Sequence, residues 1–409
     1  MKKCMKFAIL SLASLALVGC GNNDSDQMKV GLLALHDSNS TYDKNFIDAF
    51  KAACEKENVK AVIKTGVPES TVCYDKALEC VEDGCKFVFA DSFGHEDHVL
   101  KAAKENPDVQ FSHATGTKAH TENQANYHNA FASIYEGRYL AGVAAGLKLQ
   151  AMGETAPKIG YIGAYTYAEV ISGYTSFFLG VRSVVPGTTM DVRFTGSWYD
   201  EAAEKEAAKT LIDNGCKLIS QHADSWGAPS QCEASKIPNV SYNGSTESRC
   251  PDTYIISSKV NWEPYFRYAI GQVKAGKTID TDWTGELGET LYDGSVALTE
   301  IGKKAAAANT ETVLKEKATA LKDGSLKVFD CSKFTVKNTL KDNASRMKAD
   351  AEGHLTSYMA DVNTDAAYTP DTEAVETVGD VTFFAESSKR SAPYFDIQID
   401  GITLLNTKF

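Results

Sequence analysis

Two stretches of the chain, DGCKFVFADS at residues 83–92 and NGCKLISQHADS at residues 214–225, follow one pattern. In both, a helix is expected to end at the glycine, an apolar strand follows, and an Asp-Ser pair comes after the strand. The second stretch begins about 130 residues after the first, as two similar α/β lobes would require. Ligands of open α/β sheets bind at the carboxyl ends of strands, so both Asp-Ser loops are predicted to line one cleft.

The chain around these stretches alternates short apolar runs with amphipathic segments from Lys29 onward. This alternation is typical of parallel sheets that are covered by helices on both faces, and it predicts an α/β fold. The clearest helix is expected at about 201–214, with Asp200 as its N-cap and Gly215 as its terminator. Strands are predicted at 30–35, 60–64, 87–90, 109–113, 158–162, 189–194, 217–221, 239–242 and 254–257.

The alternation weakens after Trp283. An Ala/Lys-rich helix is expected near 303–321, a polar stretch covers 337–374, and alternating apolar residues predict a closing hairpin at 395–405. The Asp400-Gly401 pair in that hairpin is a strong turn signal. We expect this part of the chain to pack on the second lobe and not to form a third domain.

The N-terminus has the features of a lipoprotein signal peptide, residues 1–19. Three lysines precede an apolar run at 7–18, which is shorter than the roughly 20 residues that span a bilayer. The run ends in small residues before Cys20, which is therefore predicted to carry the lipid, for example palmitate, and to begin the mature chain. Residues 20–28 are expected to form a flexible tether. The alternative is a plain secretory peptide with an incidental cysteine.

Length and charge limit the partners of this chain. Its 409 residues suffice for about two domains. The formal net charge of −12 makes nucleic acid and anionic lipid surfaces poor partners. No second apolar stretch approaches membrane-spanning length, so membrane contact is expected through the lipid alone.

The cysteines leave the redox state open. Their number after the lipid site is even, which permits disulfides without pairing them. Cys73 and Cys80 share one face of a helix predicted between Ser70 and Asp83, which favours buried free thiols there. None of their spacings resembles a zinc site, so no metal is expected. These cysteines are Cys54, Cys73, Cys80, Cys85, Cys216, Cys232, Cys250 and Cys331.

Enzyme motifs find no support in the sequence. GQVKAGKT at 271–278 matches a phosphate-binding loop, but it follows a predicted helix where that loop needs a strand. HEDH at 95–98 is one residue too short to place two histidines on one helical face as metalloproteases do. Neither a G-x-S-x-G nor a G-x-G-x-x-G motif occurs. No catalytic residue and no cofactor are therefore predicted.

Several segments together resemble the basic membrane protein family of ABC transporter substrate-binding lipoproteins, which includes purine nucleoside and purine-binding members. The resemblance covers roughly residues 29–283. Its most specific segments are NPDVQFSHATG at 106–116, IYEGRYLAG at 134–142, WYD at 198–200, SQHADS at 220–225 and NW at 261–262.

The resemblance implies a type I periplasmic-binding-protein fold, in which two Rossmann-like lobes are joined by hinge strands. The N-terminal lobe would comprise residues 29–117 and about 259–298. The C-terminal lobe would comprise about 125–256 and about 303–409. Hinge crossings are expected near 116–130, 255–261 and 295–305.

The resemblance also implies a ligand site between the lobes. In similar proteins a purine ring stacks between aromatic side chains of opposite lobes, and acidic or amide groups bind the rest. Phe46 has ordinary core packing as its alternative reading, and Asp224 has helix capping. Nucleoside-binding relatives carry acids where this chain has Thr115 and near Asn243, so a free base is as plausible as a nucleoside. The implied ligand-binding residues are Asp37, Phe46, Ser92, Phe93, Trp198, Asp224, Asn243 and Lys259.

The functional hypothesis is an extracytoplasmic, lipid-anchored protein that delivers a purine nucleoside or base to the permease of an ABC importer. Three alternatives share this fold or site. The first is a ligand-sensing lipoprotein that signals to a membrane receptor, the second binds a non-purine molecule such as a sugar, and the third is an exported nucleoside hydrolase.

Overall fold

The computed structural model describes residues 27–339, 346–362 and 370–409. The predicted signal peptide, the lipid site Cys20 and most of the predicted tether lie outside these ranges. Met28, predicted as the end of the tether, already belongs to the first lobe, because its carbonyl accepts a hydrogen bond from the Lys60 N–H at 2.9 Å. Every helix in the described ranges is too short or too polar to traverse a lipid bilayer.

Helices and strands alternate through the first two thirds of the chain. The helices are α1 Thr41–Lys56, α2 Thr71–Glu82, α3 Glu96–Glu105, α4 Ala119–Glu122, α5 Ile134–Ala151, α6 Ala168–Arg182, α7 Glu201–Asp213, α8 Gly227–Ser235, α9 Glu263–Lys274 and α10 Thr310–Lys322. The strands are β1 Lys29–Leu33, β2 Lys60–Lys64, β3 Cys85–Ala90, β4 Gln110–Ala114, β5 Tyr127–Ala132, β6 Lys158–Gly163, β7 Thr189–Phe194, β8 Ile219–His222, β9 Asn239–Tyr242, β10 Tyr254–Val260, β11 Asp282–Gly285, β12 Val296–Leu298, β13 Val336–Thr339, β14 Met347–Ala349, β15 Leu355–Ala360, β16 Thr372–Glu373, β17 Val375–Val378, β18 Val381–Phe384, β19 Ile397–Ile399 and β20 Ile402–Leu404.

The first lobe is built on a parallel sheet with the strand order β11-β5-β4-β3-β1-β2. Strand β3 explains why the sheet is covered on both faces. Phe87 and Phe89 point into one apolar cluster with α1 and α9, while Val88 and Ala90 point into another with α2 and α3. Successive residues of a strand face opposite sides, so a strand that is apolar throughout must be buried twice.

The second lobe repeats this design with the strand order β12-β10-β9-β8-β6-β7-β20. All neighbours are parallel except β12, which runs antiparallel to β10. Helices α5 and α6 pack on one face together with much of the C-terminal part of the chain, and α7 and α8 cover the other. The predicted α/β fold with two lobes is confirmed.

The chain passes between the lobes three times, at Ser133, at Asn261 and along residues 286–295. The third crossing is tied to each of the other two, because the Asn261 N–H donates to the Ser295 carbonyl at 2.7 Å and the Ser133 N–H donates to the Gly285 carbonyl at 2.9 Å.

The lobe boundaries differ from those predicted. Strand β5 pairs with β4 and β11 in the first sheet, so the first lobe extends to residue 132 and the predicted start of the second lobe near 125 is too early. Strand β10 continues to residue 260, past the predicted end at 256. Strand β12, predicted in the first lobe, belongs to the second sheet.

Residues 326–409, called the tail below, complete the second lobe. Phe395, Ile397 and Ile399 join the same apolar cluster as α5 and α6, as the sequence predicts. The predicted closing hairpin is wrong, because β19 pairs with β13 and β20 pairs with the outer edge of β7. The Asp400-Gly401 turn thus carries the chain from a small sheet to the main sheet.

Candidate functional site

A pocket lies between the two sheets at the carboxyl ends of their strands, and we call it the inner pocket. The first lobe contributes loops that follow β1, β3 and β4, and the second contributes loops that follow β7 and β8 with the end of β9 and the start of α6. The lining residues are Leu35, Tyr42, Asp43, Ser92, Phe93, Thr115, Glu169, Trp198, His222, Asp224 and Tyr242.

The lobes touch each other around this pocket, so the cleft is closed. The Thr41 N–H at the start of α1 donates to the Asp224 carbonyl at 3.0 Å. The rings of Phe93 and Tyr167, from opposite lobes, stack with centroids 4.9 Å apart and an interplanar angle of 27°. In this closed form the volume of the inner pocket is only about 20 Å³, so a ligand would bind there with the lobes further apart and would be enclosed by both of them.

Two carboxyl groups of the inner pocket have pKa values that are shifted in opposite directions. Burial raises the pKa of Asp43, but hydrogen bonds from His36 and Ser40 outweigh it, so the pKa lies below its usual value. Burial raises the pKa of Asp224 well above its usual value, and the charges of Asp43, Glu204 and Glu169 raise it further. Asp43 is therefore ionised and hydrogen-bonded within the protein. The surroundings of Asp224 disfavour the ionised form of its carboxyl group.

Asp224 lacks a partner for its side chain. Within the described ranges its carboxyl group accepts no hydrogen bond, although the residue is only 5% exposed. Its backbone is fixed, since the Asp224 N–H donates to the Trp198 carbonyl at 2.9 Å. A buried acceptor held in place without a donor is the arrangement expected of a group that binds ligand.

His222 and Glu169 form a second polar feature of the pocket wall. His222 Nε2 lies 3.3 Å from Glu169 Oε1, and the imidazole ring lies 4.5 Å from the Tyr242 ring. Burial lowers the pKa of His222, which keeps the imidazole neutral. The pair therefore places one carboxylate at the pocket surface.

Aromatic side chains cover the apolar surface of the site. Trp198 packs edge-to-face on Tyr165, with centroids 5.1 Å apart, and Tyr165 in turn contacts Tyr167 at 5.2 Å. On the facing lobe the Tyr42 hydroxyl donates to the Asp91 carbonyl at 2.7 Å, which fixes that ring. Rigid rings on opposite lobes suit a flat ligand.

Four of the residues predicted to bind ligand are brought together in the inner pocket: Ser92, Phe93, Trp198 and Asp224. The two Asp-Ser loops of the repeated pattern do line one cleft. The Ser92 hydroxyl donates to Glu69 at 2.6 Å, so it also braces its loop.

The structure places Phe46 elsewhere. Its ring is fully buried in the first lobe and stacks on Trp262 with centroids 4.4 Å apart. Phe46 lies on nearly the same face of α1 as Tyr42 but one turn further along the helix. There its side chain packs between α1 and the sheet, while that of Tyr42, at the start of the helix, reaches the pocket. The core reading of Phe46 is the correct one.

Asp37 also lies outside the inner pocket. It is exposed and its carboxylate accepts the Asn39 N–H at 2.9 Å, which makes it part of the turn before α1. The first-lobe acid that lines the pocket is Asp43.

Asn243 and Lys259 line a separate groove on the hinge side of the cleft, between α1 and the loop after β9. The contact between Thr41 and the Asp224 carbonyl separates this groove from the inner pocket. Four of the eight predicted residues therefore line the inner pocket and two line this groove, whereas Phe46 and Asp37 line neither.

Sequence reasoning missed Tyr42, Asp43, Glu169, His222 and Tyr242. A usable signal existed for two of them, because His222 and Tyr242 end strands β8 and β9 and ligands bind at such ends. The side-chain directions at the start of α1 gave no comparable signal.

The two motifs that resemble enzyme signatures lie on or beside helices. Residues 271–278 lie at the end of α9, where Gly276 has a φ of 62° beyond the helix end. His95 and His98 lie at the start of α3. Among the described residues, no group of three or more His, Cys, Asp or Glu side chains is arranged to hold a metal ion. The cysteines of the described ranges are free and buried, which confirms the reading for Cys73 and Cys80.

Comparison with known proteins agrees with this architecture. Residues 33–325 match the family described as ABC transporter substrate-binding protein PnrA-like. A purine-binding protein of Brucella abortus is 32% identical over 281 residues, which are 68% of this chain and 76% of that protein. A nucleoside-binding protein of Lactococcus lactis is 27% identical over 59% of this chain and 70% of its own length. A putative glucose-binding protein of Haloferax volcanii is 33% identical over 50% of this chain and 51% of its own length.

Solved structures show the same fold. A solute-binding protein of Aeropyrum pernix has a TM-score of 0.60 at 17% identity and covers 74% of this chain and 93% of its own. One from Conexibacter woesei has a TM-score of 0.58 at 20% identity and covers 73% of this chain and 98% of its own. With the family match spanning most of the two lobes, the chain belongs to the PnrA-like family of ABC transporter substrate-binding proteins.

Proposed function

We propose that this protein is an extracytoplasmic lipoprotein, anchored through Cys20, that binds a purine base or nucleoside between its lobes and delivers it to the permease of an ABC importer. The observation that carries the purine assignment is the inner pocket, where aromatic faces from both lobes surround the unpartnered carboxyl group of Asp224.

The chemistry of the pocket supports a donor-rich, uncharged heterocycle. Flat rings gain apolar burial between Trp198 and the first-lobe aromatic side chains. Carboxyl groups are present in the lining as Asp43, Glu169 and Asp224, whereas the lining includes no lysine or arginine. Amino and ring N–H groups of a purine would supply donors to these acceptors, and an anionic ligand would be repelled.

The relatives support the same class of ligand, since one is named for binding purines and another for binding nucleosides. The lipid anchor rests on the sequence around Cys20. Transport and signalling differ only in the membrane partner, and the family match favours transport.

Isothermal titration with adenine, adenosine, guanosine and inosine tests the ligand. We expect at least one of them to bind with a 1:1 ratio and to be recovered intact after long incubation. Failure of all four to bind would remove the purine assignment, and recovery of a cleaved product would favour the hydrolase alternative.

A sugar is the second candidate ligand, because the relative from Haloferax volcanii is named as a putative glucose-binding protein. Glucose belongs in the same titration series. Binding of glucose without binding of any purine would replace the proposed ligand while leaving the transport role intact.

The anchor is tested by fractionation of cells that produce the natural protein and the Cys20→Ala variant. We expect the natural protein in the membrane fraction with an acylated N-terminus by mass spectrometry, and the variant free of the membrane. Equal distribution of both would contradict lipid anchoring.

A further inference from the structure

One loop of the tail, residues 386–395, reaches across to the first lobe, and we call it the tail loop. The Ser391 N–H of this loop donates to Asp282 Oδ2 on β11 at 2.8 Å. The tail loop lies beyond residue 325, where the family match ends. This contact between the lobes therefore comes from outside the part of the chain that the family model matches.

The tail loop is fixed to the second lobe. The two carboxylate oxygens of Glu386 accept the Tyr394 N–H at 2.8 Å and the Phe395 N–H at 2.9 Å, which ties the ends of the loop together. Phe395 is fully buried in the same apolar cluster as α5 and α6. The loop must therefore move with the second lobe.

Arg390 makes the tail loop rigid. Its guanidinium N–H groups donate to the carbonyls of Ala392 and Pro393, each at 3.0 Å, and to the Val362 carbonyl at 2.9 Å. These bonds fold the backbone around Arg390 and anchor it to another part of the tail. The N–H of the next residue, Ser391, is consequently held in one direction.

Asp282 is just as firmly part of the first lobe. It pairs with Asn129 in the sheet, and His120 Nε2 lies 2.9 Å from the same carboxylate oxygen that accepts the Ser391 N–H. The Asp282 side chain is only 5% exposed. Burial lowers the pKa of Arg390, and nearby carboxyl groups, Asp282 among them, oppose that shift by their charge. The second lobe thus supplies both a hydrogen-bond donor and a positive charge to a buried carboxylate of the first.

This contact and the contact between Thr41 and the Asp224 carbonyl lie toward opposite edges of the first sheet. Strand β11, which carries Asp282, forms one edge, whereas β1, which precedes Thr41, neighbours the strand at the other edge. The lobes are therefore joined at two separated points, and they cannot move apart without breaking at least one of them.

The closed form that these contacts hold leaves little room for a ligand. The volume of the inner pocket in this form is about 20 Å³, which is roughly the space that one water molecule needs. A contact that favours this form therefore opposes the entry of a ligand.

We propose that the tail loop is an autoinhibitory latch: the contact between Ser391 and Asp282 holds the ligand-free cleft closed, and it breaks when a ligand enters. The latch then sets the fraction of the protein that is open, and the apparent affinity for a ligand is reduced by that fraction. The proposal concerns the opening of the lobes and does not depend on which ligand binds.

Hydrogen–deuterium exchange of the ligand-free protein tests the latch. The reporter is the Thr41 N–H, which is protected by an acceptor in the other lobe and exchanges when the cleft opens. We expect Asp282→Ala to speed its exchange about tenfold or more, because hydrogen bonds to a charged group contribute on that scale. Asp108→Ala, at an exposed position of the first lobe, is the matched control and should leave the rate unchanged.

Core amides separate opening of the cleft from a general loss of stability. Phe89 in β3 and Val143 in α5 are fully buried, one in each lobe, and their exchange rates should be the same in Asp282→Ala and the natural protein. Asp282→Asn retains an oxygen that can accept the Ser391 N–H but lacks the charge, so it should give an intermediate rate at Thr41. If Asp282→Ala fails to fold, Asp282→Asn decides the matter.

A second measurement uses ligand and rests on the proposed function. Adenine and adenosine are titrated into the natural protein and into Asp282→Ala. While the open fraction is small, the affinity should rise by the same factor as the exchange rate of the Thr41 N–H, because both follow the population of the open form.

Unchanged exchange at Thr41 in Asp282→Ala would overturn the latch. So would equal acceleration at Thr41, Phe89 and Val143, since the contact would then stabilise the fold and not the closed cleft. Weaker binding by Asp282→Ala would show that the contact belongs to the ligand-bound form, which contradicts autoinhibition. Failure of every purine to bind would remove the proposed function, while faster exchange at Thr41 alone would still support the latch.

Discussion

The carboxyl group of Asp224 should make the stability of the protein depend on pH. Burial and neighbouring carboxylates raise its pKa. An acid whose pKa is higher in the folded than in the unfolded chain costs stability as the pH rises above the unfolded value of about 3.9. We expect Asp224→Asn to raise the unfolding temperature of the ligand-free protein at pH 7, and the gain to shrink toward pH 4.

The same substitution should weaken ligand binding. Donors from a purine favour the ionised carboxylate, so binding releases a proton and the affinity of the natural protein rises with pH while Asp224 is protonated in the ligand-free protein. Asp224→Asn should flatten that dependence in calorimetric titrations. Asp213→Asn, at an exposed position paired with Lys209, is the control, and an identical pH profile in all three proteins would contradict the assignment of Asp224.

Trp198 is expected to supply stacking energy. Tyr165 holds its ring in place. Trp198→Ala should reduce the binding free energy of a purine by about 1–3 kcal/mol, by analogy with base–aromatic stacking in nucleic-acid binders. Trp198→Phe retains a stacking face and should lose less. Unchanged affinity in the alanine variant would mean that the ligand binds elsewhere.

The residues at the start of α1 show where prediction from sequence stops. The spacing of α1 indicates which residues share a face, yet Tyr42 and Phe46 lie on nearly the same face, one turn apart. Which of the two rings reaches the cleft depends on how far α1 extends past the sheet edge. Asp224 was predictable because it closely follows β8, and Trp198 because it lies in the loop between β7 and α7 within a segment that resembles the family.

At the scale of elements, the contact between α5 and α6 depends on two glycines. A Cβ atom at Gly142 would lie 2.1 Å from the Phe177 carbonyl oxygen, and one at Gly180 would lie 2.2 Å from that of Tyr139. The helix backbones touch directly at these points, so no side chain fits between them.

Gly142→Ala should therefore force α5 and α6 apart and lower the unfolding temperature of the protein. Gly271→Ala, in α9 where an added Cβ meets nothing within 4 Å, is the matched control. It should stabilise by about 0.5–1 kcal/mol, since alanine loses less backbone freedom in a helix. Equal effects of the two substitutions in thermal unfolding would refute the close approach.

Strand β5 marks the limit of prediction at this scale. Its sequence YHNAFA lacks the continuous apolar run expected of a central strand. His128 and Asn129 are nevertheless buried, because His128 Nε2 contacts Gln110 at 2.8 Å and Asn129 Oδ1 accepts the Ala119 N–H at 2.8 Å. Such partners arise only after folding, so the strand and the lobe boundary beside it were missed.

At the scale of the whole molecule, the tail belongs to the core of the second lobe. Phe395 is fully buried and stacks on Phe329 with centroids 4.3 Å apart. Phe395→Ala should lower the free energy of unfolding by about 3–5 kcal/mol through the cavity it leaves. Val378→Ala, 62% exposed, should change it little. If Phe395→Ala instead removed only a separate, minor unfolding transition and left the main transition unchanged, the tail would fold independently of the second lobe.

The two lobes were predictable because their alternation of strands and helices is regular and repeats. The course of the tail was not, because its strands are short and join partners far away in sequence. The Phe194 N–H, for example, donates to the side chain of Asn406, 212 residues later.

Strand β20 limits the order in which the second lobe can fold. It completes the outer edge of the second sheet, although it lies more than 200 residues after its neighbour β7 along the chain. While the chain is being made, β7 stays without this neighbour until residues 402–404 have been synthesised, and pairings between residues so distant form slowly. The outer edge of the second lobe is therefore expected to be the last part of that lobe to reach its final packing.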